Sequence, residues 1–510
     1  MLRVGVPSAI SQLSLMSQKN PTKRERKFPF SFQFCLSKSK RTVRHLSLKV
    51  MPSITFLKSL AFNPSRLKTF LLILSLFLFL YFFIYPHPPP PPFPRASDSP
   101  LTRRHVLFSI ASSSNSFPLR KPYLRLWYSP NSTRALAFLD RAVDGDDTVP
   151  PVVVSGDTSR FPYTFRGGLR SAIRVARVVK EVVDRGEEGV RWYVFGDDDT
   201  VFFVDNLVKT LAKYDHERWF YIGGNSESYE QNLKYSFDMA FGGGGFAISH
   251  SLARVLARVL DSCLVRYSHL YGSDARVFSC LAELGVGLTH EPGFHQVDMR
   301  GSLFGMLSSH PLSPLLSLHH LDAVEPIFPD INKTQAIKHL FKAVNVDPAR
   351  ILQRTVCYDR SNSLTVSVAW GYAIQVFNGN EFLPDLLSLQ RTFVPWRRSI
   401  TVDASRYMFN TREYPKDPCK RPVTFFLESI VPDKSGVWSY YTRHLVKECV
   451  TPDAIKNLKG IRVFSEKLEL DIEQMKAPRR QCCGILPSFN ESMVIDIRQC
   501  GVDELISMHI

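Results

Sequence analysis

No CxxC pair occurs anywhere in this 510-residue chain, which argues against zinc ribbons and thioredoxin-like redox chemistry. No internal repeat is found either, so solenoid and propeller architectures have no support. Acids are nearly missing from residues 1–68, where fourteen Lys/Arg face Glu25 alone. That tail carries +13 of the formal +17, leaving the remaining 442 residues close to neutral at +4. A nucleic-acid partner requires a basic face on the folded part, and this distribution argues against one.

Charge is absent altogether from Thr69 to Tyr85 (TFLLILSLFLFLYFFIY), a run flanked by Arg66 and Lys68 and then by Pro86 and Pro88–Pro92. Seventeen apolar residues sit at the lower limit for a bilayer span and suit the thinner membranes of the early secretory pathway. A cleaved signal peptide would have a shorter apolar region ending in small residues, whereas this one ends in Phe, Ile, Tyr and Pro. The reading is therefore a signal anchor at 69–85. By the positive-inside rule the tail 1–68 is cytosolic and everything after Pro86 lumenal, a type II topology. Residues 86–103 form a stiff Pro-rich stem. Residues 1–50 are Ser-rich and basic like an organelle-targeting segment, and Met51 offers a second possible start.

Cysteine usage agrees with an oxidising compartment. Cys35 precedes the apolar run and eight cysteines follow it, an even number. Cys263 and Cys280 fall on neighbouring predicted helices, and the adjacent Cys482 and Cys483 require different partners. Acceptor sequons stand at Asn131, Asn332 and Asn490.

From 104 to 330 strand and helix patterns alternate. Strands are predicted over 105–111, 152–155, 192–195 and 220–222, and helices over 169–184, 206–214 and around 252–263. Such alternation predicts an open α/β sheet that binds ligands at the carboxyl ends of its strands. From 345 to 510 the pattern becomes β-rich, with strands predicted over 363–377, 422–431, 461–464 and 493–497. This stretch holds six of the eight later cysteines.

Asp197-Asp198-Asp199 follows the strand Trp192-Tyr193-Val194-Phe195-Gly196. Acids at i and i+2 on the ligand edge of a sheet can hold a hard divalent cation against diphosphate oxygens. The same spacing recurs in Asp144-Gly145-Asp146-Asp147, but there it sits in a loop with no preceding aromatic strand. Gly242 to Gly245 cannot stabilise helix or strand and so indicate a close backbone approach, with Gly243 and Gly244 as donor-side candidates. Ser273 is placed as a helix N-cap, with Asp274 in the first turn.

Read together and in order, WYVFGDDDT, GGGGFAIS, GSDARV, PGFHQ and SLHHLD resemble the Fringe-like β-1,3-glycosyltransferases, and more closely their plant branch. The resemblance implies a GT-A-type nucleotide-sugar-binding fold over 104–330, a UDP-sugar donor, manganese and inversion at the anomeric carbon. It matches Asp199 to the metal-binding acid and places Asp197 and Asp198 near metal water or donor sugar. Asp274 matches the catalytic base. A histidine on a later strand completes the metal site, best matched by His319, with His320 and His295 as alternatives. Asp157 and Arg170 fall where relatives bind the nucleotide. Many relatives carry two acids at the base position, whereas here Ser273 precedes Asp274. The expectation is a Golgi transferase acting on glycan or glycoprotein acceptors. The alternative is a non-catalytic sugar-binding or scaffold protein on the same fold.

Overall fold

The computed structural model describes residues 99–510 except 145, 402–404, 448, 450–452, 488–490 and 507–510, and before them only 68, 69, 71–77 and 79. The expected cytosolic tail (Lys68 excepted), much of the 69–85 span, most of the stem and Asn490 lie outside the described residues. Those of the span that are described are helical, and Leu71, Leu72, Phe77 and Phe79 expose more than half of their surface. Among the described residues no helix is long and apolar enough to cross a membrane.

Pro92–Ile510 forms one compact unit. Its first half is built on Val106–Ala111 (β1), Arg134–Leu139 (β2), Val152–Val154 (β3), Trp192–Asp197 (β4), Val201–Phe202 (β5), Tyr221–Gly223 (β6), Phe246–Ser249 (β7) and Leu288–His290 (β8). All but β5 join in a mixed sheet of order β3-β2-β1-β4-β7-β6-β8. Strands β3 to β4 run parallel, and β7 is antiparallel to both β4 and β6. Alternation along β1 and β4 divides the core into two layers, because successive side chains point to opposite faces. Val106, Phe108, Trp192 and Val194 pack on one side, and Leu107, Tyr193 and Phe195 on the other.

Three short strands flank this sheet: β5, Phe294–His295 (β9) and Ser317–Leu318 (β11), with Met299–Gly301 (β10) between them in the chain. The second half is an eight-stranded sheet, in spatial order Arg354–Asp359, Leu364–Ala369, Ala373–Asn378, Val423–Pro432, Val437–His444, Gly460–Ser465, Ser492–Arg498 and Cys482–Leu486. The single strand expected over 363–377 is a hairpin, turned at Trp370–Tyr372 where Gly371 adopts φ +76°. Only glycine takes that conformation without strain. The predicted helix over 169–184 spans Ser171–Asp184, and that over 206–214 spans Val204–Leu211.

All eight later cysteines are paired: 263–280, 357–483, 419–449 and 482–500. Cys263–Cys280 joins the helices His250–Arg266 and Ser273–Glu283. Cys357–Cys483 ties the first strand of the eight-stranded sheet to its last, so the sheet is rolled. Cys482 and Cys483 go to different partners, as neighbours on a strand facing opposite ways must. The two halves share one hydrophobic cluster, and Phe393–Pro395 pairs antiparallel with β10.

Candidate active site

β4 lies where the order of the sheet reverses, next to β1, with Asp197 in register with Ala111 at the carboxyl end of both. Open sheets bind ligands at such a switch point. The chain after β1 supplies partners for the acids that end β4. Ser112 and Ser116 each donate to Asp198 Oδ2 at 2.6 Å. Arg120, on the helix Phe117–Trp127, comes within 3.7 Å of Asp198 and 3.5 Å of Asp199, and also pairs with Asp322.

His319 arrives from 120 positions away by strand register. Leu318 opposes Val201 in the antiparallel pair β5–β11, so the next rung sets His319 beside Thr200 and Asp199. His319 Nε2 is 3.0 Å from Asp199 Oδ1 and 3.9 Å from Asp197 Oδ2. Its Nδ1 lies 3.2 Å from the Gln296 carbonyl, which as an acceptor fixes the proton there and turns Nε2 to the acids. Asp197, Asp199 and His319 thus offer three ligand atoms within 4.8 Å of one another. Two carboxylates and an imidazole suit manganese, magnesium or zinc in type.

Burial disfavours the charged form of all three, and their mutual pairing opposes it. Removal from bulk water, with Asp199, Asp274 and Asp198 adding repulsion, raises Asp197 to about 7. Burial lowers His319, but the Asp199 charge outweighs it and lifts the imidazole to about 9. Burial raises Asp199 in turn, yet His319 and Arg120 hold it below the usual carboxylate range. Asp198 is raised, by burial first.

Asp274 stands in the first turn of Ser273–Glu283, accepting from Ser273 Oγ at 3.0 Å and from the Gly242 backbone N–H. Burial raises its carboxyl against those two bonds. Asp274, Asp197, Gly242 and Ser273 line one small pocket. The approach that the four glycines permit is to the protein's own groups. A Cβ on Gly242 would lie 2.5 Å from Asp274 Oδ1, and one on Gly243 would lie 2.1 Å from His319 Cε1. Gly244 donates to Gln296 Oε1 at 2.6 Å, and the Gly243 carbonyl accepts from Thr200 Oγ1 at 2.7 Å. The glycine run is the hub against which both acidic motifs and His319 are packed.

The other expected residues lie elsewhere. His295 is outside the Asp197–Asp199–His319 cluster: its Nδ1 meets Glu227 at 3.1 Å and its Nε2 meets His310 at 2.9 Å. His320 turns away through a left-handed φ of +53°, with Nδ1 3.4 Å from Asp298 and its ring stacked on Trp396. Asp157 accepts from Ser159, and Arg170 Nη2 donates to the carbonyls of Thr158, Ser159 and Phe161. Both belong to the loop after edge strand β3, with β2 and β1 between it and β4. Asn131 is exposed in a turn, and Asn332 is an exposed helix N-cap accepting from Gln335 N at 2.9 Å. Arg120, Thr200 and Gln296 are site residues that the sequence reading missed. Arg120 sits on a helix interrupted by Pro122, which gave no helical signal.

Two clustered carboxylates, a histidine and a further buried carboxylate form a group able to hold a cation and to accept a proton. Residues 231–483 match the family described as "Protein of unknown function, DUF604". The chain is 25% identical over 198 residues to a mouse (Mus musculus) β-1,3-glucosyltransferase, covering 39% of this chain and 37% of that protein. It is 30% identical over 137 residues to the human (Homo sapiens) β-1,3-glucosyltransferase, covering 27% and 26%. The similarity is thus to β-1,3-glycosyltransferases, and the chain spans about a third or less of the length of these relatives. A mannosyltransferase of Pyrobaculum calidifontis, solved with GDP-Man and Mn2+, aligns at 15% identity over 45% of this chain and 66% of that one. Its TM-score is 0.25, too low to build on.

Proposed function

We propose that this chain is a metal-dependent, inverting glycosyltransferase of the GT-A, Fringe-like kind, moving a sugar from a UDP-sugar to a glycan or glycoprotein acceptor. The observation that carries the reading is the convergence of Asp197, Asp199 and His319 Nε2 at the switch point, with Asp274 across the same pocket. A divalent cation, manganese by preference, bound there supplies positive charge to the departing diphosphate. Asp198, fixed by Ser112, Ser116 and Arg120, faces the donor side. Asp274 takes the proton of the acceptor hydroxyl as that oxygen bonds to the anomeric carbon and the bond to UDP breaks. A carboxyl raised by burial is suited to that role near neutral pH. The charge step across Thr69–Tyr85 and the four disulfides support a Golgi-membrane, type II placement with this site in the lumen.

The test is a screen of the purified chain with manganese against a panel of UDP-sugars and glycan acceptors, scoring UDP release. Acceptor-stimulated release that a chelator abolishes is expected. Release indifferent to chelation, or none from any donor, overturns the reading.

A further inference from the structure

A segment from the second half of the chain reaches the histidines beside the metal cluster. Phe393–Pro395 is held on β10, and Arg300 Nε and Nη2 donate to the Pro395 carbonyl at 3.3 and 3.0 Å. The next residue, Trp396, stacks on His320 with centroids 4.4 Å apart and planes 12° from parallel. The His320 ring lies 3.8 Å from that of His319. At the other end, Tyr235 feels the charges of both Arg397 and Asp274, and it stacks on Tyr271, three positions before Asp274. The segment 395–398 therefore lies beside the histidine of the metal cluster, with Arg397 close enough to Tyr235 for its charge to be felt there.

Cations collect along it. Arg397 and Arg398 are exposed, as is Lys234, whose Nζ lies 4.5 Å from the Tyr235 ring and 5.5 Å from that of Tyr271. The charged groups that weigh on Lys234 and Arg300 are other cations, Arg397 and Arg398 respectively, and both side chains are lowered by burial and that repulsion. Among the described residues, none of these four cations forms an ion pair. Four cations without a carboxylate partner thus gather beside half-buried aromatic rings, on a folded region that is close to neutral overall. Aromatic faces take the apolar side of a sugar ring, and guanidinium forks take a carboxylate or oxyanion in two parallel hydrogen bonds. A neutral acceptor would leave the mutual repulsion of these cations in place, and an anionic one relieves it.

We infer that this segment forms the acceptor side of the site and that the acceptor is an anionic saccharide, carrying a carboxylate, sulfate or phosphate on or next to the sugar that receives the new bond. The inference rests on the transferase reading above.

The test uses the full chain and three oligosaccharides of equal length: one of uronic acids, its carboxyl-reduced neutral counterpart, and a sulfated neutral chain. Affinity is measured by calorimetry without donor, at low and at high salt. An anionic probe should bind about ten-fold or more tighter than the neutral one at low salt, with the gap narrowing as salt screens it. The paired substitutions Arg397→Gln and Arg398→Gln should shrink that gap several-fold, and the arm that binds tighter, uronate or sulfate, identifies the anion. Equal affinities, a gap that survives both substitutions, or no binding of any probe overturns the inference. UDP-sugar and manganese binding to the unsubstituted chain are measured in parallel. Donor binding with no anionic preference sinks the acceptor inference alone, and loss of donor binding sinks the transferase reading.

Discussion

Asp144–Asp147 and Asp197–Asp199 share the Asp-x-Asp spacing and are served by the same helix, Phe117–Trp127, yet their circumstances are opposite. Asp146 meets Lys121 Nζ at 2.9 Å and Arg125 Nη2 at 3.1 Å, two cations for one carboxylate at the surface. Arg120, one residue before Lys121, points elsewhere because consecutive helical residues diverge by about 100°. It must serve Asp198, Asp199 and Asp322 together. At the site, among the described residues, Asp197, Asp198, Asp199 and Asp274 have only Arg120 and His319 as neutralising partners. Identical spacing therefore yields a neutralised surface loop in one place and an excess of buried negative charge in the other. Only the second has a reason to take up a divalent cation.

The most direct way to break this comparison is Asp199→Ala. Losing an outer partner of a metal ligand costs about 10- to 100-fold in affinity, so losing a ligand itself should exceed ~100-fold. Manganese binding by calorimetry should fall below detection, and transfer with it. Retained binding would show that the buried acids are not the metal site. Asp274→Asn should act differently, since a base touches the acceptor. Donor affinity should survive while transfer falls by about 10²- to 10⁴-fold. If Asp274 served only as an acid in the first turn of its helix, the variant would be slightly less stable and nearly as active.

Gly243→Ala sharpens the contrast from the backbone side. The added methyl would stand 2.1 Å from His319 Cε1, so the ring must move off the acids. Manganese affinity should weaken by about 10- to 100-fold, the scale of a disturbed ligand orientation. An unchanged affinity with an intact fold would remove His319 from the metal set.

The acids could be read in the sequence because each ends a strand or opens a helix, positions that local pattern reveals. The α/β alternation was legible for the same reason, down to β4 and the helix Ser171–Asp184. What pattern does not reveal is register between distant segments. Nothing local distinguishes His319 from His295: only the pairing of Leu318 with Val201 sets one beside Asp199, while His295 faces Glu227 and His310. Arg120 was hidden because Pro118 and Pro122 obscure its helix. Trp396 reaches the His319–His320 pair through the strand pair Phe393–Pro395 with β10, a contact across almost a hundred residues.

That second histidine pair yields a smaller effect, readable as pH dependence of stability. His310 is buried, and its imidazole is held well below 6.5, by burial and then by the neighbouring His295. In the unfolded chain it takes up a proton near 6.5, but in the folded chain only at lower pH. Its contribution is therefore whole above about 6.5 and is lost as pH falls below that, at up to about 1.4 kcal/mol per pH unit. Thermal unfolding followed between pH 7.5 and 5.5 (roughly the span over which an unperturbed His titrates) should show a lower midpoint on the acid side, and His310→Gln should flatten that slope. An equally steep acid-side loss in the variant would assign it to other groups.

The smallest effect is expected at Asp146, and it is the control on which the opening comparison depends. Asp146 is at the surface, accepting from Thr148 as well as from Lys121 and Arg125, and these bonds hold its carboxyl below the usual range. Exposed pairs of this sort are screened by water and salt and contribute little. Asp146→Asn keeps the shape and removes the charge, leaving Lys121 and Arg125 free to turn to solvent. Manganese affinity, donor affinity and transfer rate should all match the unsubstituted chain, with at most a slight change in thermal midpoint. The outcome that matters is a shared response. If Asp146→Asn weakens manganese binding as Asp199→Ala does, then Phe117–Trp127 transmits charge from one cluster to the other through Lys121 and Arg120. The two Asp-x-Asp runs would then be one electrostatic unit, and burial alone would not explain which of them holds the metal.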